Sequence, residues 1–345
     1  MDTVRTAVVG ASGYTGIELL RLLLGHPKVT LTAMTSRAHA GSKLATVFPR
    51  FLGLEGADLS FIEPDIEAIV ASGAEVVFLA LPHGMAAEFA LPLLEKGLRV
   101  IDLSADFRLN DAAVYEEFYG QLHPAPEWLP KAVYGMPELY REAIQNSQLI
   151  AAPGCYPTSI ILPLVPLLRA GLIDASSIVV SSLSGVSGAG RSASLAIIFA
   201  EVNESLRAYG LPKHRHLSEI EQELSLAAGE KVTITFTPHL VPVTRGIHST
   251  ITATLKADFS QVGVALQSAY EEEAFVRLLG EGVAADTANV TRTNFLDMGW
   301  HQDERTNRLL ITSAEDNLTK GASGQALQAF NLCYGLPVTT GLLNI

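Results

Sequence analysis

Three glycines in a GxxGxxG spacing, Gly10, Gly13 and Gly16, separate an apolar run from an apolar helix pattern, and this junction limits what the chain can become. Val4 to Val9 reads as a short buried strand. Ile17, Leu19, Leu20, Leu23 and Leu24 then recur at helical spacing up to Gly25-His26-Pro27. Glycines placed between strand and helix let the backbone turn tightly and carry its N–H groups up to a pyrophosphate, which the positive end of the helix also favours. The stretch Gly10-Ala11-Ser12-Gly13-Tyr14-Thr15-Gly16 is therefore expected to cradle a dinucleotide.

The following residues extend this into a doubly wound α/β domain. Strand Val29–Met34 leads into Thr35-Ser36-Arg37. An acidic residue there would bind the ribose hydroxyls of NAD; a hydroxyl followed by a guanidinium suits a 2′-phosphate, so NADP is favoured. Glu75 to Leu81 is almost continuously apolar, as strands inside a parallel sheet are, and it closes on Pro82-His83-Gly84. Helical spacing from Met85 to Lys96 precedes a further strand, Leu98 to Leu103, ending at Ser104-Ala105-Asp106-Phe107-Arg108. Ligands of such sheets gather at the carboxyl ends of the strands, where Pro82, His83, Ser104 and Arg108 fall. Arg108 suits a phosphate or carboxylate clamp, or equally a surface ion pair. Tyr115 to Tyr140 reads as loop.

The second half changes character. In Ala151-Ala152-Pro153-Gly154-Cys155-Tyr156-Pro157-Thr158 a cysteine stands between a buried strand end and a helix that runs to Arg169, with Pro157 tolerable in its first turn. A thiol at a helix start feels free N–H groups and the macrodipole, so its pKa is expected to fall towards reactive values; a small buried core residue is the rival reading. Ser184-Gly185-Val186-Ser187-Gly188-Ala189-Gly190-Arg191 follows a strand and offers N–H donors to an anion or acyl oxygen, with Arg191 as charge partner. His214, His216 and Glu219 lie in a dense stretch where an imidazole can move a proton and a carboxylate can fix its tautomer. No other cluster matches it as a metal site. Val232–Thr237 and Ile247–Leu255 alternate as antiparallel strands around a loop holding Arg245, and Gln261 to Leu279 reads as one amphipathic helix. Strands in a run with helices around them imply an α+β domain.

Bulk properties exclude several functions. The chain has 345 residues, enough for two domains, and a formal charge of −12, which argues against nucleic acid or an anionic membrane as a partner. Two cysteines, Cys155 and Cys333, make no disulfide framework, so a reducing cytoplasm is expected. The start of the sequence runs almost directly into a strand, so no secretory leader is expected, and no apolar run reaches membrane-spanning length.

Taken in order, GASGYTG (Gly10–Gly16), ALPHG (Ala80–Gly84), DLSADFR (Asp102–Arg108), YGMPE (Tyr134–Glu138), PGCYPT (Pro153–Thr158), SGVSGAGR (Ser184–Arg191), HRH (His214–His216), TPHLVPVTRGI (Thr237–Ile247) and DNLTKGASGQALQ (Asp316–Gln328) resemble the N-acetyl-γ-glutamyl-phosphate reductase family of the aspartate-semialdehyde dehydrogenase-like superfamily. The resemblance implies an NADP-binding Rossmann domain, residues 1–153 and 317–345, and an inserted α+β catalytic domain, 154–316, with a mixed or antiparallel sheet that also builds a homodimer or homotetramer. It implies an acyl-phosphate substrate, attacked by Cys155, with a proton shuttled by His214 or His216 and oriented by Glu219. Ser12, Tyr14, Thr15, Ser36, Arg37, Pro82, His83, Ser184, Gly185, Gly188 and Asn317 would join the glycines around the cofactor, and Arg108, Arg191 or Arg245 would hold the phosphate. The carrier-linked α-aminoadipyl phosphate reductases of lysine biosynthesis share most of these motifs; a non-catalytic NADP-binding regulator is the reading outside enzymes.

Overall fold

Alternating apolar strands and helices in the N-terminal third pair side by side, all in one direction. In the computed structural model, which describes residues 3–343, the chain divides into two compact units. One is Met1–Ala112, Leu122–Pro153 and Ala322–Ile345; the other is Ala113–Gln121 and Gly154–Gly321. The first contains β1 (Val4–Val9), β2 (Val29–Met34), β3 (Val76–Leu79), β4 (Arg99–Asp102), β5 (Val133–Tyr134) and β6 (Leu149–Ala151). They form a parallel sheet in the order β2-β1-β3-β4-β6-β5. Both faces are covered, which explains the unbroken apolar run of β3. Phe78 meets Phe330 of the Gly324–Cys333 helix at 6.0 Å between rings, whereas Val77 and Leu79 share a core cluster with Phe89, Ala90 and Leu93 of the Ala86–Glu95 helix.

The strand order reverses direction between β1 and β3, and crevices at such switch points hold ligands. Gly10 stands there with φ +79°, and a Cβ on it would come within 2.4 Å of the Ala80 carbonyl oxygen. Only glycine lets the ends of β1 and β3 approach so closely.

The stretch expected as loop, Tyr115 to Tyr140, is more ordered than its composition suggests. It contains a helix (Ala112–Tyr119), a 3-10 segment (Pro126–Lys131), β5 and the start of the Pro137–Asn146 helix. A two-residue strand is too short to show a period, so the sequence pattern hides it. Residues 113–121 group with the second unit, where Lys213 pairs with Glu117 at 2.5 Å and lies over the Phe118 ring.

The second unit carries β7 (Val179–Ser184), β8 (Arg207–Ala208), β9 (Thr235–Leu240), β10 (Ile247–Thr254), β11 (Val276–Glu281), β12 (Leu296–Asp303) and β13 (Arg308–Glu315). Their order is β11-β12-β13-β10-β7-β9-β8, mixed in direction: β7–β9 and β11–β12 are parallel and the remaining pairs antiparallel. The helix expected over Gln261–Leu279 ends at Tyr270, and Val276–Glu281 is β11. Three successive glutamates, Glu271 to Glu273, follow that helix end, and the apolar residues beyond them pair with β12 instead.

A polar ladder registers the Cys155–Arg169 helix on this sheet. Ser182, Ser249 and Ser313 stand directly opposite one another on β7, β10 and β13, all fully buried. Ser249 bonds the Ser182 hydroxyl at 2.6 Å and the Ser159 hydroxyl at 2.8 Å, and Ser313 donates to the Ser159 carbonyl at 2.5 Å. Buried hydroxyls need partners, and this arrangement gives each of the four one.

Candidate active site

In the first unit the predicted cofactor residues converge on the carboxyl edge of the sheet. The Tyr14–Leu24 helix starts at Gly13 with no side-chain cap and no acidic residue in its first turn, so its N–H groups and positive end are left for an anion. A Cβ on Gly16 would stand 2.6 Å from the Gly10 carbonyl oxygen, whereas one on Gly13 would meet nothing closer than 3.9 Å. Gly16 is thus required for packing, and Gly13 leaves open space where a phosphate would lie. Ser12 bonds Ser36 through their hydroxyls at 2.9 Å, bringing the turn and the end of β2 together. Ser36 is buried and Arg37 beside it is exposed, placing a cation at the rim. These residues fit a dinucleotide carrying a 2′-phosphate.

The loops after β3 and β4 are tied by one carboxylate. Asp106 accepts the Gly84 N–H at 2.6 Å and the Ala86 N–H at 2.8 Å, holding the turn that contains His83. Asp102, fully buried, accepts the Ser104 N–H and hydroxyl, both at 2.8 Å. Burial, with the nearby Asp106 charge second, pushes its carboxyl up to about 7. Arg108 is buried and donates to the carbonyls of Ala152 at 2.8 Å and Leu103 at 2.9 Å. It clamps the ends of two loops.

The second unit gathers the rest. Cys155 is the first residue of its helix, and Gly154 ahead of it offers no side-chain cap. A cavity of about 340 Å³ opens here, lined by Cys155, His214, His216, Arg207 and Arg215 among others, with Ser184, Gly185 and Gly188 along its wall. The β7 loop is pressed close: a Cβ on Gly185 would lie 2.8 Å from the Arg245 backbone nitrogen.

The two imidazoles differ. His214 sits in an aromatic cage of Tyr156, Tyr209, Phe236 and His216, with ring centroids 5.0–5.7 Å away. Its Nδ1 accepts the His216 N–H at 3.1 Å, so a neutral ring carries its proton on Nε2. Burial, and secondly the Arg215 charge, push it down to about 4. Tyr156 and Tyr209 join hydroxyls at 2.8 Å, and burial holds both above the ordinary phenol range. Glu219, fully buried on the His216–Ala228 helix, accepts the Gly154 N–H at 2.8 Å and so braces the peptide before Cys155.

Other predicted residues are placed elsewhere in this unit. Arg191 is exposed, and Arg245 pairs with the buried Asp316 at 2.8 Å. Asn317 accepts the Gly246 N–H at 2.8 Å and donates to the Ser187 hydroxyl at 2.9 Å, joining two loops of the second unit, which is why 317–321 group with that unit. The cavity's guanidinium groups are Arg207 and Arg215, which sequence reasoning passed over. One signal was available: Arg207 and Tyr209 are two apart along an extended segment, so they share a face. Among the described residues, no helix is long and apolar enough to cross a membrane.

Comparison with known proteins agrees with this geometry. Residues 5–147 match the family model described as semialdehyde dehydrogenase, NAD binding domain, and residues 155–317 the one described as semialdehyde dehydrogenase, dimerisation domain. The N-acetyl-gamma-glutamyl-phosphate reductase of Akkermansia muciniphila is 59% identical, covering 99% of each chain. That of Geobacter metallireducens is 52% identical over 98% of each. Among solved structures, the aspartate semialdehyde dehydrogenase of Candida albicans with NADP has a TM-score of 0.74 at 16% identity, over 96% of this chain and 99% of that one. Aspartate semialdehyde dehydrogenase II of Vibrio cholerae, complexed with ASA, scores 0.73 at 17% identity, over 97% and 99%. The structures share the fold, and the sequences settle the kinship: the chain belongs to the N-acetyl-gamma-glutamyl-phosphate reductase family.

Proposed function

We propose that the chain reduces N-acetyl-γ-glutamyl phosphate to N-acetylglutamate γ-semialdehyde with release of phosphate, in arginine biosynthesis. The observation that carries this is one cavity in which a cysteine at an uncapped helix start meets two imidazoles and two guanidinium groups. The Cys155 sulfur, as thiolate, adds to the acyl carbon; the C–O bond to phosphate breaks, and a thioester remains. An acyl phosphate brings a good leaving group, so the hard reduction is divided into two easier steps. NADPH, when bound, supplies the hydride that takes the thioester to the aldehyde level. Gly10, Ser12, Gly13, Gly16, Ser36 and Arg37 are the residues that would hold it. His216 gives the proton to the thiohemiacetal oxygen and takes it back as the C–S bond breaks and the aldehyde leaves. His214, held neutral in its cage, keeps the neighbouring backbone in place. Arg207 and Arg215 supply positive charge for a substrate that carries a phosphate and a carboxylate.

The matched dimerisation-domain description supports self-association as a homo-oligomer. Two free cysteines and a soluble small-molecule reaction support a cytoplasmic location. The test is NADPH oxidation with N-acetyl-γ-glutamyl phosphate and with the carrier-linked aminoadipyl phosphate side by side. Turnover of the first alone is expected, and preference for the second overturns the substrate assignment. Cys155→Ser is expected to abolish turnover.

A further inference from the structure

Gly321 is a point where the half-buried Cys155 and the fully buried Glu315 meet. A Cβ built on it would stand 2.9 Å from the Cβ of Cys155, 3.2 Å from its Cα and 3.1 Å from Oε1 of Glu315. The carboxylate oxygen and the cysteine Cβ both lie about 3 Å from that point, so they are no more than about 6 Å apart. Strand register explains the juxtaposition. Glu315, fully buried, ends β13 opposite Ile247, which in turn faces Ser184 on β7. That row lies two residues beyond the serines beneath Ser159, on the same face. Cys155 precedes Ser159 by about one helical turn, so the row ahead of the ladder comes beneath the helix start.

We propose that Glu315 is a positioning residue whose carboxylate, held behind Cys155 across Gly321, sets how readily the sulfur gives up its proton. The cationic groups around the sulfur act in the opposite sense. The uncapped helix start and the Arg207 and Arg215 guanidinium groups all favour thiolate, as does His216 when protonated. His214 is held neutral. Glu219 lies at the Gly154 N–H, and Lys320, fully buried, precedes Gly321 in the chain. A thiol whose pKa is driven far down becomes a weaker nucleophile, and the best attacking thiol ionises near the working pH. A carboxylate on the far side of Gly321 disfavours the thiolate and so holds the thiol up. Glu315 thereby offsets the cationic side of the cavity. Gly321 admits no side chain because a Cβ there would strike the Cβ of Cys155.

The inference rests on Cys155 as nucleophile, but its test does not use turnover. Full-length wild type, Glu315→Gln and Glu315→Asp are alkylated with iodoacetamide from about pH 5 to about pH 10. Modification of Cys155 is followed by peptide mass spectrometry, so Cys333 does not contribute. The midpoint is expected to fall by about one pH unit or more in the Gln variant, and by less in the Asp variant. A Gln midpoint equal to wild type overturns the proposal. Should the Gln variant fail to fold, the Asp variant decides, because withdrawing the carboxylate by one methylene must still lower the midpoint; an unmoved value overturns it. A Cys155→Ser protein that keeps full activity would refute the nucleophile instead, while the alkylation midpoint still reports on Glu315.

Discussion

The Glu219 carboxylate accepts the N–H of Gly154 at 2.8 Å, so the peptide immediately before Cys155 hangs from the helix that begins with His216. Sequence reasoning gave Glu219 the task of orienting an imidazole; the hydrogen bond found here points to bracing the Cys155 turn. Glu219→Ala leaves a buried N–H without its acceptor and is expected to destabilise the protein by about 1–3 kcal/mol. Glu219→Gln keeps an acceptor oxygen and recovers most of that stability. Urea titration of the three proteins checks this, and equal midpoints contradict it.

His214 makes stability sensitive to acid. Its folded pKa, near 4, lies below the unfolded value of about 6.5, so the unfolded chain takes the proton first. The contribution is complete above that unfolded value and is lost as pH falls through the window towards 4. His214→Gln, which can still accept the His216 N–H, should remove about 2 kcal/mol of the loss between about pH 7 and pH 5. Parallel denaturant titrations at the two pH values read the difference. For turnover the order reverses: His216→Asn is expected to suppress kcat far more than His214→Gln.

Asp102 behaves in the opposite way. Its folded value, about 7, lies above the unfolded one, so the protonated form is favoured by folding. That stabilisation is fully present below about pH 4 and disappears as pH rises to about 7. Asp102→Asn mimics the protonated group. Relative to wild type it is expected to gain about 2–3 kcal/mol between about pH 5 and pH 8, measured as the change in unfolding free energy. A constant difference across that range would show that Asp102 ionises normally.

Arg37 is exposed beside the buried Ser36, where a 2′-phosphate would lie. Arg37→Ala should raise the KM for NADPH by about tenfold or more, the worth of a charge-assisted hydrogen bond, and leave that for NADH nearly unchanged. Equal effects on both cofactors would remove the argument for a phosphate contact.

The parts legible in the sequence are those where a local need dictates a residue. Gly10 and Gly16 are glycine because a Cβ would strike backbone oxygen, so the turn could be read from spacing alone. Cys155 at a helix start was legible because Pro157 and the following apolar run mark that start. By contrast, Arg207, Glu315 and Gly321 enter the site through pairing between distant strands and loops. Nothing within a few residues of Glu315 says that it will stand behind a cysteine some 160 positions earlier in the chain. The break between the Ser260–Tyr270 helix and β11 was hidden for a similar reason, since Val276 to Leu279 suits either partner until β12 is in place.

The hydroxyls beneath Ser159 act as a detent. Sliding the helix by one residue would strand several polar groups in a dry interior at once, each at about 1–3 kcal/mol, so intermediate positions are steeply unfavourable. The depth of the sulfur in its cavity is therefore quantised by strand register and does not drift with the softness of the surrounding loops. Substrate binding can move those loops without moving the Cys155 sulfur.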